Sequence, residues 1–220
     1  GVISTSHGDI ETPAFVPVAT RASMRMIDSE EIAELGAQLL IANTFHLHLT
    51  PGETIVKKAG GLHKFMQWNR PLMTDSGGYQ VFSLGFGRDH GVGKILQEKP
   101  EKQIQRGTQP LGIKITDDGV HFKSPLNGQK LFLNPKESIR IQEALGADIM
   151  YAFDECASPL SNAEYIHASL QKTHRWAQES HDAKKSMKAA LYGIVQGGNF
   201  KDLRAESARV IGDMDFNGFG

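Results

Sequence analysis

A chain of 220 residues, 40% hydrophobic and 22% charged, holds enough apolar material for a sizeable core and reads as one domain or two. Its 24 Lys+Arg stand against 25 Asp+Glu, so bulk charge does not mark a polycation; a nucleic-acid binder with this balance has to gather its basic residues on one face. The one cysteine, Cys156, excludes an internal disulfide and any Cys-rich zinc site in these residues, it fits a reducing cytoplasm, and no apolar run nears the ~18 residues of a membrane span.

The start, Gly1-Val2-Ile3-Ser4, is neither a signal peptide nor an initiator Met, and the N-terminus is expected to be trimmed or incomplete. Phe15-Val16-Pro17-Val18 is a short strand candidate. Asp28 to Glu31 has capping-box spacing and opens a helix through Ile32 and Leu35. Leu39 to Ala42 reads as a buried strand, Glu53 to Ala59 as a short helix closed by Gly60-Gly61, and Pro71 to Thr74 as a strand ending at Asp75. Residues 85–110 are polar and glycine-rich, which predicts a loop or lid. Ile113 to Phe122 alternates around Asp117-Asp118-Gly119, a hairpin signature.

From there the pattern is regular. Asn134-Pro135 caps a helix that runs to Leu145 and stops at Gly146. Asp148 to Phe153 is a strand. Ser161 to Glu164 has capping-box spacing and opens a long helix to about Ser186. Leu191 to Val195 is a strand, Lys201 to Ile211 a helix, and Phe216 to Gly220 the start of another strand. Strands separated by helices imply parallel units, in an open doubly wound sheet or a (β/α)8 barrel. The barrel is favoured because Asp75, Asp154 and Gln196 each follow a strand, and all strand C-termini of a barrel open on one face. About five or six of eight strands are counted, so an irregular TIM barrel is expected to be incomplete in these residues.

Three segments carry chemistry. Asp75-Ser76-Gly77-Gly78-Tyr79 places an acid, a hydroxyl, two glycines that admit close approach to the backbone, and an aromatic face on one turn. The structural alternative is an Asx-turn that closes the strand. In Asp154-Glu155-Cys156, a carboxylate is the natural acceptor for the paired N1–H and exocyclic amine of guanine, and Glu155 offers a further acceptor. Against this, both acids suit a turn cap and Cys156 a small buried hydrophobe. Gln196, before Gly197-Gly198, can donate to guanine O6, so Asp154 and Gln196 together cover a donor–donor–acceptor edge; an amide bonded to a neighbouring loop is the plainer reading. His46-Leu47-His48 has a spacing used by metal-dependent barrel hydrolases, but no further ligands follow it. Lys184, Lys185 and Lys188 read as a solvated face.

The strings TPAFVPVAT, NTFHLHLTPG, RPLMTDSGGYQVFSL, AFDECASP and GIVQGG, in this order, resemble the tRNA-guanine transglycosylases, in a form similar to the bacterial type, across essentially the whole chain. The resemblance implies an irregular (β/α)8 barrel with a zinc-binding insertion and a homodimer. It implies exchange of guanine for 7-aminomethyl-7-deazaguanine at the wobble position of tRNAs with a G-U-N anticodon, through a covalent ribosyl-enzyme. By motif, Asp75 is then the acid/base, Ser76, Gly77 and Gly78 line the pocket, and Tyr79 stacks. Asp154 and Gln196 read the base, with Cys156 and Gly197 beside it. The family's nucleophilic aspartate and Cys-rich zinc motif have no counterpart in residues 1–220, so no metal ligand is assigned here and zinc is expected only of a longer protein. A non-catalytic tRNA-binding subunit of the same fold is the alternative.

Overall fold

The structure, a computed structural model, describes residues 1–89, 113–158 and 160–220. An antiparallel hairpin opens the chain, β1 (Val2–Thr5) on β2 (Gly8–Glu11), with His7 in its turn. The strand expected at Phe15–Val18 shrinks to a single parallel bridge, Val18 to Ile41. Pro17 within that stretch has no N–H to give a ladder, and only its carbonyl is used, by the amide of Ile41.

α1 (Ser29–Glu34) begins as predicted: the Asp28 carboxylate accepts from the amides of Glu30 and Glu31, and Glu31 reaches back to the Asp28 amide. Then follow β3 (Leu40–Ala42), three short helices α2 (Thr44–Leu49), α3 (Glu53–Lys58) and α4 (Leu62–Met66), and β4 (Leu72–Thr74). α5 (Gly78–Asp89) takes in the first residues of the expected polar loop, which corrects that expectation for 85–89; residues 90–112 lie outside the described residues.

The hairpin expected at 113–122 is present as β5 (Ile113–Ile115) and β6 (Val120–Lys123), and β7 (Lys130–Leu133) extends it to a three-stranded antiparallel sheet. α6 (Pro135–Leu145) starts on an Asn134 cap, with Pro135 in its first turn, and ends on Gly146 at φ +78°, as the sequence indicates. After β8 (Ile149–Tyr151) comes α7 (Ala163–Ala183). Its cap is Asn162, which accepts from the Tyr165 amide, rather than a Ser161–Glu164 box. It stops before Ser186 because the Glu143 carboxylate takes the amides of Lys185 and Ser186 at 2.6 and 2.7 Å, out of helical register. β9 (Ala190–Gly193), α8 (Lys201–Gly212) and β10 (Gly218–Phe219) complete the pattern.

The main sheet is wholly parallel, in the order β10-β9-β8-β4-β3. Spatial order follows chain order without reversal, and the Val18 bridge adds one more position beyond β3. A doubly wound sheet reverses at a switch point; this one does not. Among the described residues the arc stays open and forms no closed barrel.

Two apolar layers hold the arc. Leu40, Ala42, Leu72, Phe45, Phe82, Phe153 and Trp176 are buried with the three-stranded sheet's Ile115, Val120, Phe122 and Leu133. Ile10, Leu39, Met73 and Ile149 are buried in a second cluster, against which Ile3, Tyr151 and Tyr192 pack. α6 supplies a polar strut as well as Ile141 and Leu145. The amide of buried Gln142 accepts from the Thr74 hydroxyl and the Tyr151 N–H, both at 3.0 Å, and donates to the Tyr151 carbonyl at 2.9 Å and Ser138 Oγ at 3.1 Å. Every capacity of that amide is used, so it stands in for a backbone partner between β4 and β8.

Candidate base-recognition site

Asp75, Asp154 and Gln196 follow β4, β8 and β9, three adjacent strands of one parallel sheet, so the topology brings them to the same rim. The turn after β4 is pinned from several sides. The Thr44 hydroxyl donates to the Asp75 carbonyl at 2.5 Å, and Ser138 Oγ of α6 donates to the Ser76 carbonyl at 2.6 Å. Gly77 sits at φ +80°, a conformation that favours glycine. Gly78 runs so close to the loop after β8 that a Cβ there would meet the Asp154 carbonyl oxygen at 2.9 Å.

The Asp75 carboxylate is ringed by donors. The Thr44 amide (3.0 Å) and Gly77 amide (3.1 Å) reach Oδ1, while the Asn43 amide group and Gln80 Nε2 (2.8 Å) reach Oδ2. Burial pushes the carboxyl above its ordinary range, and the four donors pull the other way. The Asx-turn reading of the sequence is therefore part of the truth, since the Gly77 contact closes the turn. The other three donors come from outside that turn. Gln80 Oε1 is buried without a hydrogen-bond partner, an open acceptor next to the acid.

Asp154 is buried. Its Oδ2 accepts from Gln196 Nε2 at 2.7 Å and its Oδ1 lies 3.4 Å from Ser76 Oγ. Burial pushes its pKa up to about 6 against those two hydrogen bonds, with the neighbouring Glu155 charge adding to the rise. These partners set aside the turn-cap reading of Asp154. The same burial, with the Asp154 charge next to it, raises the Cys156 thiol to about 11, so the thiol stays protonated at neutral pH. Gln196 is held at its backbone by an N–H to Ser207 Oγ, 3.2 Å, from α8. At Gly197 (φ +122°) the missing side chain makes room for the α8 backbone at Leu203 and Arg204. Tyr79 stands at the start of α5, 62% exposed, with its ring face available.

One sequence reading changes, that of Glu155, and the structural reading of His46 and His48 stands. Glu155 is turned away from any ligand: its carboxylate accepts from the Tyr165 hydroxyl at 2.8 Å and pairs with Lys172 Nζ at 3.0 Å. His46 and His48 lie in helix α2, not on a strand, where residues two apart face different directions. His48 bonds Glu53 at 2.8 Å, and Glu53 in turn meets Arg140 at 2.5 Å. Burial works to raise Glu53, and the Arg140 and His48 contacts outweigh it and hold it low. Asn43, Thr44 and Gln80 were not singled out from sequence. Asn43 carries the same signal as Asp75, a polar residue just after a strand, and Gln80 lies within the string RPLMTDSGGYQVFSL.

Fold and site thus define a parallel α/β protein with a buried acid–amide pair and a donor-ringed acid on one rim of the sheet. The sequence profile of the family described as "Queuine tRNA-ribosyltransferase" matches residues 1–220. A protein of Archaeoglobus fulgidus is 46% identical over 230 residues, covering 100% of this chain and 56% of its own length. Queuine tRNA-ribosyltransferases of Thermoanaerobacter pseudethanolicus and Lysinibacillus sphaericus are 45% and 44% identical over 220 residues, covering 52% and 51% of their lengths. The chain belongs to the queuine tRNA-ribosyltransferase family, and it spans about half the length of the curated relatives it matches.

Proposed function

We propose that this chain is the base-recognising portion of an enzyme that exchanges guanine in tRNA, within an irregular (β/α)8 barrel completed by further sequence. The observation that carries the reading is the 2.7 Å contact between Gln196 Nε2 and the buried Asp154 carboxylate. Side by side they present a carboxylate for the N1–H and exocyclic amine of guanine and an N–H for its O6. Adenine offers the wrong pattern and leaves both groups unpaired in a buried place, a strong basis for rejection. Ser76 steadies the carboxylate, Gly77 and Gly78 let the base approach the backbone, and Tyr79 stacks on it; Cys156 and Gly197 border the pocket.

Asp75 is the acid/base of the exchange. Its four donors hold it ready, and Gln80 Oε1 is free to take a substrate hydroxyl. The natural substrate is the wobble guanine of a G-U-N anticodon, exchanged for 7-aminomethyl-7-deazaguanine through a ribosyl-enzyme formed on a carboxylate outside residues 1–220. The full-length enzyme works in the cytoplasm as a homodimer. The Cys-rich zinc motif expected of the longer protein does not fit the residues here: the sequence has one cysteine, and that one lies beside Asp154. No step is assigned to that metal.

The test is incorporation of labelled guanine into a tRNA with guanine at the wobble position, with guanine binding measured in parallel. The 220-residue chain is expected to bind guanine, to lose binding on Asp154→Ala, and to incorporate none. A version extended to the full length of its relatives is expected to restore exchange. Turnover by the 220-residue chain would place the nucleophile within it, and unchanged guanine binding in Asp154→Ala would remove the recognition pair.

A further inference from the structure

We propose that His7, His63 and Asp148 form a site for a divalent transition metal, zinc being the ion that best suits two imidazoles and a carboxylate. Three separate elements supply the ligands: the β1–β2 turn, helix α4, and the residue before β8. His7 Nδ1 lies 2.7 Å from Asp148 Oδ1, and His63 Nε2 lies 3.1 Å from Asp148 Oδ2. All three ligand atoms are within 4.8 Å of one another. Tetrahedral ligands bonded at about 2.0–2.1 Å stand roughly 3.3 Å apart, so the two contacts to Asp148 need only a small expansion to admit an ion.

The surroundings match what a metal site requires. Asp148 Oδ2 also accepts the Leu72 amide at 3.0 Å, which orients the carboxylate as an outer-shell contact does. The Asp148 and His63 side chains are 2% and 10% exposed and are fixed by the core. His7 is 40% exposed, at the corner of a hairpin. The two imidazoles stack at 3.5 Å with 17° between their planes, so one ring has to tilt to share an ion with the other. His7 is placed to do so, and its open side gives the ion an entry path and a fourth position for water.

The position separates this site from the base-recognition pair. Asp148 precedes β8, whereas Asp154 follows it, so the two lie towards opposite ends of that strand. A metal here joins the N-terminal hairpin to the far end of the sheet, a structural role rather than a catalytic one.

The test uses the 220-residue chain, stripped with a chelator and titrated with Zn²⁺ by calorimetry and with Co²⁺ by visible absorption. Stoichiometric uptake, a tetrahedral cobalt spectrum without thiolate character and a raised melting temperature are expected. His7→Ala and His63→Ala are each expected to weaken affinity on the order of 100-fold or more, since even outer-shell changes cost 10–100-fold. His7 lies on the surface, so its variant remains folded and informative if His63→Ala does not fold. Absence of uptake, or uptake unchanged in His7→Ala, would overturn the site and leave a carboxylate clamped by two imidazole N–H groups.

Discussion

Asp154 owes its chemistry to burial. Its pKa rises from the ordinary carboxylate value of 3.8 to about 6 in the folded chain. The unfolded chain therefore releases this proton first, and folding stability falls as pH climbs from about 4 to 6, by roughly 3 kcal/mol at ~1.4 kcal/mol per pKa unit. Below that window the group costs nothing; above it the whole penalty is present. Asp154→Asn should leave stability unchanged at pH 4 and raise it by on the order of 1–3 kcal/mol at pH 7.5, read by urea denaturation at both values. The same variant should lose guanine binding, since Asn replaces one of the two acceptor oxygens with an NH2 that meets a guanine N–H donor to donor. In the parent chain, guanine affinity should climb with pH and level off above about 6, which a binding titration across pH 5–8 checks. Glu155 is buried against Lys172 and Tyr165, so Lys172→Ala strands its charge and should destabilise the chain by about 3–5 kcal/mol without a direct effect on the base site. Sequence placed Asp154 and Gln196 together through the complementarity of their groups to one ligand. It could not show that Glu155 is turned away from a ligand, because that depends on Lys172 and Tyr165, ten or more residues away on α7.

Among the elements, those with clear local signals were legible and those without were not. α1 and α6 carry their caps in the sequence, at Asp28 and at Asn134 with Gly146, and they start and stop where those residues say. α2 and α4 have six and five residues and no side-chain cap, too short for a helical period to show, and they form because Phe45, Leu47 and Leu62 are taken into the core. β7 was missed because its sequence, KLFL, does not alternate, and pairing with β6 decides its state. The strut from α6 gives an element-scale prediction. Gln142→Leu preserves size but leaves the Thr74 hydroxyl and both backbone groups of Tyr151 without that partner in the core; a loss of about 2–4 kcal/mol in urea denaturation is expected. Gly78→Ala pushes a methyl into the Asp154 carbonyl, where backbone has to give way, and should weaken guanine binding with a cost of about 1–3 kcal/mol in stability. Normal binding in that variant would mean the turn and the loop move independently.

At the scale of the whole molecule, the parallel sheet and its rim of polar residues were readable from alternating strands and helices. The count of about five or six strands out of eight agrees with the open arc as well; which residues flank its edges was not readable, because that depends on what meets in space. Phe15 is 84% exposed and Val18 54%, next to the edge strand β3, and β10 has no partner on its outer side among the described residues. Such edges and apolar residues recruit partners. The 220-residue chain should therefore self-associate with rising concentration in sedimentation velocity; a monomer throughout would mean that these edges are shielded.

The unreversed strand order also bears on the moment of synthesis. Each parallel strand docks beside one already made, so no strand has to wait for a distant neighbour still inside the ribosome. The Asp75 turn is braced by Asn43 and Thr44 before it and by Ser138 after it, then Asp154 arrives, then Gln196. The residues proposed to read the base are therefore brought together one after another, in the order of translation.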